Sequence, residues 1–350
     1  MKSLFLNKKD SFKITYIELL RLLAIVFVIF NHTRGLGYSL YHTTQNAFSY
    51  WASLSTSILC KVAVPIFFMI SGGMLLAKEE NIKTLFKKRI FRIVLVILIF
   101  TFLQYLRIYR VNPAEGFHPE TWLLYCYCGN IIEPYWFLKA YLSMLLILPF
   151  LRILSANMKT QHFYLLLGLK FFQTAIHFIY IYTGYTMNLS FEFMTDIIFY
   201  PLLGYFVMNY TEGTLLKMLN RKVVSGPVLC VSLVLITLLA HHYFKFTGTM
   251  TDQFHSVITW ILALLIVVFV KNVTVKSVFL TKLIQLAGGC TFGVYLIEDV
   301  VRNQFEFIVP ILSKYINDYS ACLIFVLLST LAGLIAIYIV KKIPYVSKLM

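Results

Sequence analysis

The chain has 350 residues, 59% of them hydrophobic and only 13% charged, with a mean hydropathy of +0.78 and a formal net charge of +16. A water-soluble domain of this length needs far more charged surface, so that class is excluded. A membrane β-barrel is excluded as well, because apolar runs of about 20 residues recur in place of short alternating strands, each long enough to cross the hydrocarbon layer as a helix.

These runs predict an all-α polytopic membrane protein of about ten spans, forming one domain over 1–350 with no linker, low-complexity segment or internal repeat. The first span is expected over 14–34; it carries Glu18 and Arg21 and lacks a small-x-small cleavage site, so it reads as a retained span rather than a signal peptide. The next four are expected over 52–77, 89–108, 135–154 and 163–182. The remaining five are expected over 192–209, 223–243, 255–271, 283–302 and 320–341.

The positive charge invites a nucleic-acid partner, but the basic residues form neither one patch nor an aromatic-interleaved stripe. They gather in alternate loops instead. Lys2, Lys8, Lys9 and Lys13 precede the first span, Lys78, Lys83, Lys87, Lys88, Arg89 and Arg92 follow the second, and Lys341, Lys342 and Lys348 lie in the tail. By the positive-inside rule both termini are cytoplasmic, in a multi-pass protein of the cell membrane, plasma or inner. Cysteine and metal chemistry are not expected. Cys126 and Cys128 form a C-x-C pair without zinc-type spacing, and the adjacent His241 and His242 cannot share a metal on one helical face.

An ionisable side chain inside a span is costly and needs a reason. Glu18 and Arg21, three apart, can face each other, and a buried ion pair that fixes helix packing accounts for them. Arg21 and His32 are eleven apart, which returns to within about 20° of the same helical face some 16 Å further along. His32 falls in the outer half of the membrane, where imidazole could take a proton from a hydroxyl attacking a carbonyl; a histidine snorkelling to the interface is the plainer account. Lys139, Asp196, Glu298 and Asp299 are expected in the same outer half, with Lys61 and Lys170 nearer mid-membrane and able to pair with carboxylates. A hydrated cavity opening outward, suited to a sugar-like substrate, would accommodate them together. On the basic side, Arg89 and Arg92 share a helix face and could grip phosphate with Lys87 or Lys88, although an ordinary positive-inside cluster has the same composition.

Several segments resemble one family. Y-I-E-L-L-R-L-L-A-I-V-F-V-I-F-N-H, Tyr16 to His32, is similar to the first helix of the acyltransferase-3 family of membrane acyltransferases, with Glu18, Arg21 and His32 at its acidic, arginine and histidine positions. V-P-I-F-F-M-I-S-G-G, Val64 to Gly73, resembles its second-helix segment, Arg89 and Arg92 its R-x-x-R, and Trp136-Phe137-Leu138 its Trp-Phe-Leu. T-F-G-V-Y-L-I-E, Thr291 to Glu298, resembles a signature that usually ends Tyr-Leu-Ile-His. Gly73 stands where the family commonly has Phe, and Glu298 where it usually has His.

The resemblance implies an O-acyltransferase, most often an O-acetyltransferase, with acyl-CoA, most often acetyl-CoA, as donor substrate, no bound cofactor, and an extracytoplasmic glycan or lipid-linked sugar as acceptor. Arg89 and Arg92, helped by Lys88, would hold CoA phosphates. His32 would act as base or carry the acyl group, and Arg21, held by Glu18, would orient the donor or stabilise developing charge. Ser71, Gly72, Trp136, Lys139, Tyr295 and Glu298 would shape the substrate cavity. A polysaccharide or glycolipid exporter of the same superfamily, without transferase activity, is the competing expectation; against it, no inverted repeat and no pair of broken helices is read in the sequence.

Overall fold

A computed structural model describes residues 8–111, 118–129, 131–185, 187–189, 194–210, 214–249, 252–347 and 349. Lys2 and Lys348 of the basic termini, and residues 192–193 of the sixth expected span, lie outside them.

Helix α1 (Lys8–Asn31) corresponds to the first expected span. Asn46 caps α2 (Ala47–Cys60), its side chain accepting from the Ser49 N–H. Lys61 and Val62 then interrupt the chain before α3 (Ala63–Leu75), whose Pro65 lies in the first turn, where a missing N–H costs no intrahelical bond. The next span begins as α4 (Ile82–Leu85), passes through a π turn at Phe86–Ile90 and continues as α5 (Phe91–Val111). A short α6 (Pro119–Tyr127) follows, tied to α5 by the Trp122 indole, which donates to the Leu98 carbonyl at 3.2 Å. Then come α7 (Trp136–Asn157), α8 (Thr160–Thr183), α9 (Asp196–Asn209), α10 (Thr214–Leu219), α11 (Lys222–Thr247) and α12 (Asp252–Lys271). The chain ends with α13 (Val278–Gly288), α14 (Thr291–Phe305), α15 (Ile308–Leu312), α16 (Asp318–Val340) and α17 (Pro344–Ser347). The described residues contain no strand.

Each expected span has a helical counterpart, but they are not equal in reach. Six stretches are long and apolar enough to cross a membrane: Ala47–Leu75, Ile82–Arg110, Glu133–Asn157, Thr160–Thr183, Lys222–Thr247 and Asp318–Val340. A seventh is added if α13 and α14 count as one span. By contrast α9 has 14 residues, and α12 is a shorter apolar helix over Ile258–Lys271, less than an untilted crossing needs. The ninth expected span, read as one helix over 283–302, is corrected: the chain bends by 64° between Gly288 and Thr291. At that bend a Cβ on Gly288 would collide with Glu18, and the Lys341 ammonium donates to the Gly289 carbonyl at 2.7 Å. Close approach to α1 is thus what the glycine provides.

Helix α1 is the hub. It packs on α2, α3, α12, α13, α14 and α16, burying Leu20, Ala24, Ile25 and Phe30. Helices α8 and α11 expose Leu165, Phe171, Ile179, Val231, Val234 and Leu238, as lipid contact requires. The tightest helix pair is α3 against α9. A Cβ at Gly72 would overlap the Pro201 backbone, and one at Gly204 would overlap the Met69 carbonyl, so each glycine admits the other helix's main chain. Gly72→Val should therefore destabilise the protein by about 1–3 kcal/mol or more through overpacking, read as a lower melting temperature in detergent; an unchanged melting temperature would show that the two helices separate freely.

Candidate functional site

Three cavities follow one another through the bundle. The first, of about 320 Å³, lies at the basic end and is lined by Arg21, Ser71, Arg89, Arg92, Tyr141 and Phe292, among others. Arg89 and Arg92 straddle the junction between the π turn and α5, and both reach this cavity. π turns recur at functional sites because the wider turn redirects side chains. Each guanidinium is anchored. Arg89 Nε donates to Glu80 Oε2 at 2.9 Å, and the same oxygen accepts from Arg152 Nη2 at 3.2 Å, while Arg152 Nη1 donates to the Glu80 carbonyl at 3.0 Å. Arg92 Nε donates to the Leu349 carbonyl at 3.1 Å, and its guanidinium lies 5.8 Å from the Phe292 ring centre. Arg21 Nη1 contacts Glu18 Oε1 at 2.6 Å.

Glu80 lies in the connection between α3 and α4, outside the spans. Burial raises its pKa, but the hydrogen bonds and charges of Arg89 and Arg152 outweigh that, leaving it below the ordinary carboxylate value. A depressed carboxylate contributes stability that is present above its unfolded pKa and lost as pH falls through the folded one. The melting-temperature gap between wild type and Glu80→Gln should accordingly be widest at neutral pH and close as the pH drops below the carboxylate range. A gap independent of pH would contradict the charged clamp.

The second cavity, of about 300 Å³, is separated from the first by Phe67, Phe137 and Tyr295, which line both. Phe137 sits 5.8 Å from Phe67 and 5.6 Å from Tyr295, ring centre to ring centre. Tyr295 is fixed from behind, its hydroxyl donating to the Pro134 carbonyl, and Tyr135 returns a bond to the Leu296 carbonyl at 2.9 Å. The chain before α7 is in this way pinned to α14. Trp136, His32, Lys61 and Asp196 also line this second space.

The third cavity, of about 520 Å³, shares Asn31, His32, Lys61, Glu133 and Pro134 with the second and adds Arg34, Arg107, Asp299, Arg302 and Asn303. His32 directly follows α1 and keeps its helical hydrogen bond, donating to Val28 O at 3.1 Å. Arg34, two residues on, adopts φ 51°, a left-handed conformation that a non-glycine residue adopts at some strain, typical of functional loops. Its pairing with Glu133 at 3.4 Å is solvent-exposed on both sides and contributes little net stability.

Beneath His32 lies a run of alternating charges. His32 Nδ1 is 2.8 Å from Glu298 Oε1, Glu298 Oε2 is 3.6 Å from Arg302 Nε, Arg302 Nη2 is 3.1 Å from Asp299 Oδ1, and Asp299 Oδ2 accepts from Arg107 Nη2 at 2.6 Å. The Glu298 side chain is 0% exposed and that of His32 16%. The His32–Glu298 approach is a close contact that is not aligned as a hydrogen bond, since Nδ1 and both carboxylate oxygens lack a partner of good geometry. Catalytic hydrogen bonds are often poorly aligned before substrate binds.

Among the residues expected from the sequence, Arg21, Ser71, Arg89 and Arg92 line the basic-end cavity, and His32 and Trp136 the outer ones, with Tyr295 in the wall between. Glu18 stands behind Arg21, and Glu298 behind His32. Three others sit elsewhere. Gly72 packs on Pro201, an interhelical contact that explains it without a cavity role. The Lys139 ammonium donates to the carbonyls of Tyr125, in the last turn of α6, and Gly129, just beyond it, joining α7 to the end of α6. Lys88 points outward from the π turn and is exposed. Lys170 donates to the Gln173 and Met194 oxygens and interacts electrostatically with Asp196, one of the carboxylates expected, and Lys61 lies over the Tyr38 ring. Arg107 and Arg302 were not anticipated as part of the site. The i,i+4 spacing of Glu298 and Arg302 was the available signal for one; Arg107 comes from a different helix and left none.

Residues 14–341 match the family described as "Acyltransferase domain", so the chain belongs to the acyltransferase-3 family. Comparison with curated proteins and with solved structures returns no significant match.

Proposed function

We propose that this member of the acyltransferase-3 family is a membrane O-acyltransferase of about ten spans with cytoplasmic termini, moving an acyl group, in the first instance acetyl, from cytoplasmic acyl-CoA to a hydroxyl of an extracytoplasmic glycan or lipid-linked sugar. The observation that carries this reading is the succession of cavities from an arginine-lined pocket to a histidine-lined one, with Phe67, Phe137 and Tyr295 lining both. Arg89 and Arg92 suit the phosphates of CoA, since guanidinium binds phosphate through paired charge-assisted hydrogen bonds. The flexible pantetheine arm is narrow enough to pass an aromatic constriction, which would deliver the thioester toward His32. The acceptor hydroxyl would lose its proton to His32 as its oxygen bonds to the thioester carbon. The C–S bond then breaks, and the departing thiolate takes up the proton, giving an ester and free CoA. The outer cavity, of about 520 Å³ and mixed in charge, suits a hydroxyl-rich sugar.

An exporter of glycans is the second reading, and the bent α13–α14 pair is the observation that favours it, because broken helices recur in transporters. The donor separates the two. Titration of purified protein with acetyl-CoA by calorimetry should give saturable binding; well-folded protein that binds neither acetyl-CoA nor longer acyl-CoAs would leave the exporter as the working account.

A further inference from the structure

We infer that Glu298, backed by Arg302, is the positioning residue that fixes the tautomer of His32 and so makes Nε2 its reactive nitrogen. The inference rests on the acyltransfer reading of the same site. A neutral imidazole has one N–H and one bare nitrogen, and only the bare one can accept a proton. Glu298 Oε1 lies 2.8 Å from Nδ1, a contact not yet aligned as a hydrogen bond; a carboxylate is acceptor-only, so the bond formed when the two align is donated by Nδ1–H and leaves Nε2 bare. The carboxylate is itself oriented. Its side chain is fully buried on α14, Arg302 one turn later approaches Oε2 at 3.6 Å, and Asp299 with Arg107 holds Arg302 in turn. Helix α14 therefore presents the acceptor, and α1 presents the imidazole. When Nε2 takes the proton of the attacking hydroxyl, the imidazolium forms beside an anion already in place. Glu298 itself transfers no proton; it acts through His32.

Glu298→Gln tests this sharply, because the geometry dictates how the amide would sit. Arg302 offers only donors, so the Gln carbonyl oxygen turns toward it and the amide N–H₂ turns toward Nδ1. That imposes the opposite tautomer, with Nε2 protonated and unable to act as base. We expect kcat to fall by at least about tenfold, and by as much as about 10⁴-fold, with KM for acyl-CoA little changed. The double variant Glu298→Gln/Arg302→Met frees the carbonyl to face His32 and should recover part of the lost kcat, which a purely structural role for Glu298 would not produce. An independent reading needs no variant: ¹⁵N spectra of histidine-labelled wild-type protein in lipid, with His32 assigned by its loss in His32→Ala, should show neutral His32 protonated at Nδ1. A wild-type Nε2–H tautomer, or a Glu298→Gln enzyme with undiminished kcat, overturns the inference. Wild type and His32→Ala together separate the levels of the argument. If wild type itself transfers no acyl group, the acyltransfer reading fails; if His32→Ala transfers normally, the role of His32 fails and that of Glu298 with it; if His32→Ala is inactive while Glu298→Gln is fully active, only the role of Glu298 fails.

Discussion

Replacing His32 with alanine should lower acyl transfer about 10²- to 10⁴-fold, the usual contribution of a positioned acid–base group, while leaving acyl-CoA affinity within a few-fold of wild type. The separation of these two effects follows from position. His32 lines the second and third cavities and not the first, whereas Arg89 and Arg92 line only the first. Loss of the imidazole also leaves Glu298 buried with Arg302 still beside it, so the ionic run from Glu298 to Arg107 survives and the fold should as well. A His32→Ala protein that retains its melting temperature and full turnover would remove the imidazole from the mechanism. Parallel loss of acyl-CoA binding would instead mean that His32 holds the donor.

The complementary result is expected from Arg89→Ala/Arg92→Ala, which should weaken acetyl-CoA binding about 10²- to 10⁴-fold. Each guanidinium supplies charge-assisted hydrogen bonds of about 1.5–3 kcal/mol, and two are removed. The partners left behind are not stranded. Glu80 keeps both of its contacts with Arg152, and the Leu349 carbonyl released by Arg92 is only part-buried. Equilibrium titration with acetyl-CoA, alongside acetyl-pantetheine, which carries none of the phosphates, measures the effect and assigns it to the phosphates. If the analogue lacking phosphate binds wild type as well as acetyl-CoA does, the arginines have another purpose.

The parts of this molecule that were legible in the sequence are those set by local pattern. Apolar runs delimit helices because the bilayer requires it. Glu18 with Arg21, and Arg89 with Arg92, are i,i+3 pairs, so one helix contains the whole relationship. What was hidden depends on helices meeting. The bend at Gly288–Thr291 coincides with the close approach of α13 to Glu18, which no local breaker other than two glycines announces. Lys139 satisfies carbonyls of a short helix that its own span does not predict. Gly72 reads as part of a site motif and turns out to admit the Pro201 backbone. Glu298 is the instructive case. The sequence marks it as a departure within an otherwise familiar segment, and only the crossing of α1 with α14 brings it to Nδ1 of His32.

The most direct measurement is transfer itself. Membrane vesicles with the basic face outward, from cells that make both this chain and their surface glycan, would be supplied with acetyl-CoA labelled in the acetyl group. The account predicts base-labile label on the glycan or its lipid-linked precursor with the wild-type chain, and only background with His32→Ala. Equal labelling in the two, or none in either despite acetyl-CoA binding, would contradict it.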